Sequence, residues 1–334
     1  MLEGKLAAAE ENVVIRAGDC TLQVMPALGG KIASLRVGEN ELLQAPLREP
    51  APRTQTMGFA ESDASGWDEC LPSVAACTVE TEAGKATIPD HGDLWRVPWQ
   101  VLQADEDSVI LRGKCFSLPL QLTRSILLAE SATGWRLDML YSLTNLGAYR
   151  VPWSWCAHSL FAVEAGDRIH LPEEITTLRL ESSGGNRLGA AGQTVGWPRA
   201  KSSEGKDLDL SVVPEAADGI GDKLFAGPFS ASKDGWCALE RTRLGLRLTL
   251  RFEPAFTPYL GMWICYSGWP EGDGAKQFCV APEPATAPVD SLAETGDWSR
   301  WLEPGETATW PVELTIERIQ PDTSRHEKSG IGLQ

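Results

Sequence analysis

Residues 306–317 read ETATWPVELTIE, and apolar and polar side chains alternate along this stretch. The even-numbered positions 308–316 are all apolar, whereas the odd-numbered positions are threonine or glutamate apart from Pro311. A period of two residues places the apolar side chains on one face of a β-strand and the polar ones on the other. The stretch therefore predicts a strand with one buried face and one face in water, as in an antiparallel sheet.

The same alternation recurs upstream, in residues 135–143 and 244–252. Further apolar, turn-bounded runs predict strands at residues 21–25, 31–37, 108–112, 118–128, 151–161, 236–241, 259–266 and 278–281. The 32 glycines and 22 prolines suit the many turns that such strands need. No stretch has the pattern of an amphipathic helix longer than about three turns. The sequence thus predicts an all-β protein, a large antiparallel β-sandwich whose sheets pack face to face.

No change in composition divides the chain into parts, and no repeat of fixed period is present. Residues 181–221 are polar and glycine-rich, which predicts long loops within one domain. We therefore predict a single domain over residues 1–320, followed by a polar C-terminal tail at residues 321–334.

The net charge of −16 disfavours binding to nucleic acids and to anionic membrane surfaces, both of which need clustered cations. Residues 1–11 have no basic start and no apolar segment typical of a secretory signal. No apolar run is long enough to span a bilayer. These features favour a cytoplasmic location.

Eight cysteines occur without a Cys-x-x-Cys pair and without a Cys/His cluster at zinc-binding spacing. Several lie inside apolar strand-like runs, among them Cys265 and Cys279. This pattern predicts buried free thiols in a reducing compartment, with neither a disulfide framework nor a metal site.

Three polar residues have neighbours that suggest chemistry. His91 lies in the turn IPDHGDLW, where Gly92 permits close approach of a ligand to the backbone. His158 lies in a predicted strand, where a histidine is either a hydrogen-bonded core residue or a catalyst. Glu283 ends an apolar strand between two prolines, so it is either exposed at the strand end or a partly desolvated base.

The thirteen tryptophans are a second signal. Trp67 and Trp263 lie close in sequence to polar candidates, and flat aromatic rings pack against the C–H faces of pyranose sugars. Core packing is the alternative for each of them. We expect these two rings to contribute to a sugar site.

The order of several motifs resembles that of the galactose mutarotase-like superfamily over nearly the whole chain. These motifs are PALGGKIASL at 26–35, GWDECLP at 66–72, DHG at 90–92, NLG at 145–147, HSLF at 158–161, DKLF at 222–225, Glu283 with Pro288, and LEPGE at 302–306. The chain departs from the family pattern at Ser159, where a proline is usual. The Asn-Arg pair typical before the first site histidine is missing as well.

This resemblance implies the galactose mutarotase-like supersandwich fold and the activity of an aldose 1-epimerase, an isomerase of carbohydrate metabolism. Such an enzyme interconverts the α and β anomers of a small-molecule sugar by acid/base ring opening and needs no metal or cofactor. The resemblance implies Glu283 as the base and His158 as the acid, whose pKa near neutrality suits the role. It implies His91 and Asp222 as residues that bind the sugar.

Other functions stay open from the sequence. Arg96 follows the His91 turn, near where the sugar-phosphate branch of the family has an arginine, so a hexose-6-phosphate mutarotase is an alternative. A non-catalytic carbohydrate-binding protein on the same fold is another. A carbohydrate lyase or hydrolase is a third alternative, and for hydrolysis Asp68 or Glu69 would pair with Glu283 across the scissile bond. The oligomeric state is left open.

Arg124 falls on the apolar face of its strand and is expected to pair with an internal carboxylate.

Overall fold

The protein consists almost entirely of β-strands in a computed structural model that describes residues 12–215 and 219–319. The strands are β1 Val13–Ala17, β2 Cys20–Met25, β3 Lys31–Val37, β4 Asn40–Glu41, β5 Trp67–Cys70, β6 Cys77–Thr81, β7 Gly84–Ile88, β8 Gln100–Ala104, β9 Ser108–Lys114, β10 Leu120–Ser131, β11 Gly134–Asn145, β12 Val151–Trp153, β13 Cys156–Ser159, β14 Phe161–Ala162, β15 Arg168–His170, β16 Thr177–Ser183, β17 Thr194–Gly196, β18 Arg199–Lys201, β19 Asp207–Asp209, β20 Ile220–Ala226, β21 Gly235–Arg241, β22 Leu246–Phe252, β23 Tyr259–Tyr266, β24 Phe278–Ala285, β25 Arg300–Leu302 and β26 Thr307–Arg318. Short 3-10 helices span Pro26–Leu28, Phe59–Glu61, Leu94–Arg96, Gly184–Asn186, Leu292–Glu294 and Gly296–Trp298. The predicted tail at residues 321–334 lies outside the described residues, and the domain boundary at residue 320 stays a prediction.

Two large antiparallel sheets form the body of the fold. The larger has twelve strands, with the path β1-β2-β3-β5-β13-β24-β23-β20-β16-β17 and with β4 and β14 at its side. The smaller has eight strands in the order β15-β21-β22-β26-β11-β10-β9-β8. One continuous apolar cluster includes Leu22 and Ile32 of the larger sheet and Met139 and Leu314 of the smaller one. The prediction of an all-β fold with antiparallel sheets is confirmed.

Strand β26 lies between β11 and β22 near the middle of the smaller sheet. Trp310, Val312, Leu314 and Ile316 are buried, while the residues between them are exposed or half-buried. Burial on one face and water on the other is what period-two alternation requires. The strand predicted from this stretch is therefore confirmed.

The prediction of one strand over residues 151–161 is wrong, because the chain forms the short strands β12, β13 and β14 there. β12 pairs with β25, whereas β13 pairs with β5 and β24. At the break, the backbone N–H of Ser154 donates to Pro72 and that of Trp155 donates to the Thr286 hydroxyl. Because these backbone groups find partners outside a ladder, the chain can change sheets here.

The prediction of long loops over residues 181–221 is only partly right, because β17, β18, β19 and the ends of β16 and β20 fall within this region. The strands that matter for the site are adjacent, because β13, β24, β23 and β20 are consecutive in the larger sheet.

All eight cysteines are free thiols, and six of them are buried. Within residues 12–215 and 219–319, no helix has the length and apolar character that crossing a bilayer requires.

Candidate active site

A cavity of about 320 Å³ opens over strands β13, β24, β23 and β20 of the larger sheet. Its polar lining includes His158, Lys223, Trp263 and Glu283 from these strands and His91 and Asp290 from neighbouring loops. The structure thus brings together four of the residues singled out in the sequence, namely His91, His158, Trp263 and Glu283. The functional roles assigned to them stay predictions.

Glu283 is fully buried on β24, directly opposite Gly261 of β23. A Cβ atom at position 261 would lie 3.1 Å from the Glu283 Oε2 atom, so the glycine leaves room for the carboxylate. Oε2 accepts hydrogen bonds from the Lys223 ammonium and, at 3.3 Å, from the Cys156 thiol. Among the described residues, Oε1 has no hydrogen-bond partner, and it lies 3.8 Å from the His158 Nε2 atom.

Burial raises the pKa of Glu283, while the charge of Lys223 and its hydrogen bond act in the opposite direction. The carboxylate is therefore a stronger base than a solvated glutamate, yet it has a cation in contact that favours its ionised form. A base that is ionised and has one unpartnered oxygen is suited to removing a proton from a bound hydroxyl.

His158 is buried on β13, with its ring edge-on to Phe59 and to His91 at centroid distances of 5.1 Å in both cases. Burial lowers its pKa well below the ordinary value, and the charges of His91, Lys223 and Lys31 lower it further. The expectation of a pKa near neutrality is therefore wrong, because desolvation disfavours the imidazolium. At neutral pH His158 is a neutral ring that carries one N–H donor.

His91 lines the cavity and adopts a left-handed backbone conformation with φ of 59°. Its ring stacks on Phe59 at a centroid distance of 4.0 Å, and its Nδ1 atom lies 2.8 Å from the Asp90 carboxylate. A carboxylate beside Nδ1 favours a proton on that nitrogen.

Trp263 lines the cavity with its ring, while its indole N–H donates to Gln277 at 2.9 Å. Trp269 lines the same cavity and packs against Phe59. With the indole N–H of Trp263 engaged by Gln277, its ring is fixed in place. Flat apolar surfaces beside carboxylates are a combination suited to a sugar ring.

Three residues expected at the site do not line the cavity. Trp67 is fully buried in the core, where its ring packs against Phe161. A large apolar ring on a buried strand can pack in the protein interior instead of against a sugar. Arg96 donates to the carbonyls of Met57, Asp90 and Gly92, so its guanidinium is occupied by backbone. Asp222 is fully buried as well.

Asp222 accepts hydrogen bonds from Ser183 and Arg187 on the side of β20 away from the cavity. Its neighbour Lys223 faces the cavity instead, because successive residues of a strand point to opposite faces. Neither Lys223 nor Asp290 was predicted from the sequence. The alternation of β20 is a signal that could have found the lysine, since Lys223 and Phe225 share one face.

Solved structures of low sequence identity share this architecture. A candidate aldose 1-epimerase from Escherichia coli K12 matches with a TM-score of 0.67 at 18% identity, over 92% of this chain and 99% of that one. A galactose mutarotase related enzyme from Lactobacillus acidophilus matches with a TM-score of 0.64 at 13% identity, over 93% and 99% of the two chains. A galactose mutarotase-like protein from Clostridium acetobutylicum matches with a TM-score of 0.63 at 16% identity, over 92% and 95%. The chain has the galactose mutarotase-like fold.

No protein-family model matches the chain, and no curated protein matches it in sequence. Structural likeness at such low identity establishes the galactose mutarotase-like fold, and fold alone does not determine function. Function therefore has to be inferred from the side chains in the cavity.

The depressed pKa of His158 predicts a pH-dependent stability. In the unfolded chain His158 takes up a proton below about pH 6.5, whereas the folded site resists protonation, so the unfolded state binds more protons. The contribution of His158 to the free energy of unfolding is therefore fully present above about pH 6.5 and decreases as the pH falls. We expect wild type to lose up to about 1.4 kcal/mol per pH unit relative to His158→Asn in this range.

The measurement is the free energy of unfolding in urea for both proteins at about pH 7.5 and about pH 5.5. The comparison cancels the titration of carboxylates and of the other histidines, which both proteins share. Equal pH dependence of the two proteins would contradict this prediction, because it would mean that His158 takes up its proton in the same pH range in the folded and unfolded states.

Proposed function

We propose that the protein is an aldose 1-epimerase that interconverts the α and β anomers of an unphosphorylated aldose. One observation carries this proposal: the unpartnered Oε1 atom of Glu283 faces the Nε2 atom of His158 at 3.8 Å inside a ring-lined cavity. The cavity volume of about 320 Å³ lies at the lower end of the range of small-molecule sites.

The short distance between the two groups suits the reaction. The hydroxyl that loses a proton and the ring oxygen that gains one are both bonded to C1, so the catalytic groups must converge on one edge of the sugar. The distance of 3.8 Å between Glu283 Oε1 and His158 Nε2 lets both groups reach the same edge of one sugar ring.

In the proposed reaction, Glu283 Oε1 removes the proton from the anomeric hydroxyl while the N–H of neutral His158 donates a hydrogen bond to the ring oxygen. The bond between C1 and the ring oxygen breaks, and the hydrogen bond stabilises the negative charge that develops on that oxygen. The proton held by Glu283 lies next to this oxygen and is transferred to it. Rotation about the C1–C2 bond and closure from the other face give the second anomer.

The charges of the cavity favour a neutral sugar over a sugar phosphate. In the part of the chain that the structure describes, no arginine lines this cavity. The ammonium of Lys223 is already shared between Glu283 and Asp290. A phosphate dianion would therefore meet the carboxylates of Asp90, Glu283 and Asp290, in a cavity whose described lining offers no unpaired lysine or arginine, and such like-charge contacts are costly.

The carboxylates that a hydrolase would need are engaged elsewhere. Asp68 lies 3.0 Å from the Lys31 ammonium and accepts a hydrogen bond from Arg53, in a buried ion cluster. Glu69 pairs with Arg124 in the core. Neither lines the cavity with Glu283, so the arrangement does not favour paired-carboxylate hydrolysis.

Polarimetry of freshly dissolved α-D-hexoses and α-D-pentoses tests the proposal. We expect the protein to accelerate their equilibration in proportion to its concentration, with kcat/KM at least about tenfold lower for hexose 6-phosphates because of charge repulsion. Equilibration at the buffer rate, combined with ligand-induced stabilisation by the same sugars, would instead support a protein that only binds carbohydrate.

A further inference from the structure

Lys223 is a buried lysine in the wall of the cavity, with a side chain that is only 7% exposed. Its ammonium donates to Glu283 Oε2, lies 3.7 Å from Asp290 Oδ1 and sits 5.5 Å from the centroid of the Phe225 ring. Burying an ammonium is costly unless it is paired, so this placement needs a reason beyond filling space. None of the sequence motifs assigns a role to it.

The titratable groups around Glu283 come from each element packed against it. They are Cys70 of β5, Cys156 and His158 of β13, Lys223 of β20, Cys279 of β24 and Asp290 after β24. Among them Lys223 supplies the positive charge, because the thiols are uncharged, His158 is neutral and Asp290 is an acid. Without Lys223, the Glu283 carboxylate would be a buried charge beside a second carboxylate.

The two oxygens of Glu283 have different surroundings. Lys223 and the Cys156 thiol both donate to Oε2, whereas no residue that the structure describes donates to Oε1 on the side of His158. A carboxylate held through one oxygen presents the lone pairs of the other in a fixed direction. Fixed geometry of this kind is what proton transfer requires.

We propose that Lys223 is a positioning residue for anomerisation: it holds Glu283 in its ionised form by Oε2, so that Oε1 receives the sugar proton. This inference rests on the proposed function for its chemical step. In this proposal Lys223 acts only through Glu283 and does not contact the reacting atoms of the sugar.

A covalent role for Lys223 does not fit the surroundings. Burial alone would lower its pKa, but Asp290 and Glu283 outweigh burial and raise it. An amine must lose its proton before it can form a Schiff base with an open-chain aldose. An ammonium between two carboxylates keeps that proton, so its effect on the reaction is electrostatic.

The test is the pH dependence of kcat in Lys223→Met. With the cation removed, Glu283 ionises only at higher pH, so the rising limb of the profile moves upward by at least about one pH unit. At pH values below the limb, the rate falls about tenfold for each pH unit by which the limb moves, and it recovers toward the wild-type value at alkaline pH. Lys223→Arg keeps the charge and leaves the limb near its wild-type position.

Lys233→Met is the matched control, because Lys233 is exposed and pairs with Glu174 on the surface. We expect its profile to coincide with that of wild type. A loss of rate in Lys223→Met that is equal at every pH would overturn the inference, as would an unchanged profile. If Lys223→Met does not fold, Lys223→Gln replaces it in the same measurement.

A second readout does not depend on turnover. Protein labelled with ¹³C at the glutamate carboxyl carbon is titrated by NMR, and the signal missing in Glu283→Gln is assigned to Glu283. We expect this signal to titrate at higher pH in Lys223→Met than in wild type. If wild type equilibrates no sugar, the proposed function fails, whereas an unchanged titration shows that Lys223 does not control Glu283.

Discussion

Glu283→Gln is expected to lower kcat for anomerisation by about 10²–10⁴-fold, the usual contribution of a positioned general base. Glutamine keeps the shape of the side chain, but its amide cannot take the proton from the anomeric hydroxyl. The substitution also leaves the cavity-lining rings of Trp263 and His91 in place, so KM is expected to change much less than kcat. Polarimetry over a range of sugar concentrations, with and without the substitution, measures both parameters.

Glu240→Gln is a control with the same chemical change, since Glu240 pairs with His170 away from the cavity. Its kcat should equal that of wild type. The near-ultraviolet circular dichroism and urea midpoint of Glu283→Gln show whether the native fold is retained, with Lys223 still beside Asp290. A folded Glu283→Gln protein with wild-type kcat would exclude Glu283 as the base.

Much of the fold could be predicted from local patterns. The alternation in residues 306–317 became β26, and that in residues 135–143 lies within β11, because burial on one face is encoded residue by residue. Such patterns say which side chains turn inward, but they do not say which strand lies alongside. The three-way division of residues 151–161 depends on partners as distant as Thr286, which no local pattern contains.

The candidate site shows the same division between local and distant information. His158 and Glu283 could be predicted because the motifs that contain them resemble, in their order along the chain, those of the galactose mutarotase-like superfamily. Asp222 and Lys223, in contrast, are adjacent in the sequence and point to opposite faces of β20. A shift of one residue in a strand exchanges the two faces, so a motif match alone does not decide which side chain reaches the cavity. For Trp67 and Arg96, residue type fits both a site and the interior, and only the surroundings decide.

Arg124→Met is expected to lower the free energy of unfolding by about 3–5 kcal/mol, the cost of leaving a buried charge without its partner. Arg124 and Glu69 are both fully buried and pair at 2.8 Å, as expected for an arginine on an apolar strand face. Tyr141 and Trp155 also donate to Glu69, but neither carries a charge. Urea unfolding at neutral pH measures the difference, and a loss below about 1 kcal/mol would place this pair among those of little net value.

A second substitution separates the charge from the packing. Burial raises the pKa of Glu69 and Arg124 opposes this, so without the arginine the folded state favours protonated Glu69 more strongly. The folded state of Arg124→Met then binds more protons than the unfolded state, and its stability falls as the pH rises above the ordinary glutamate pKa of about 4.3. Adding Glu69→Gln removes the charge but keeps an acceptor for Tyr141 and Trp155. The double variant should therefore recover at least about half of the lost stability at neutral pH and should lose this pH dependence. If the losses in free energy of unfolding from the two substitutions add instead, the missing side-chain volume, and not the unpaired charge, is what destabilises the site.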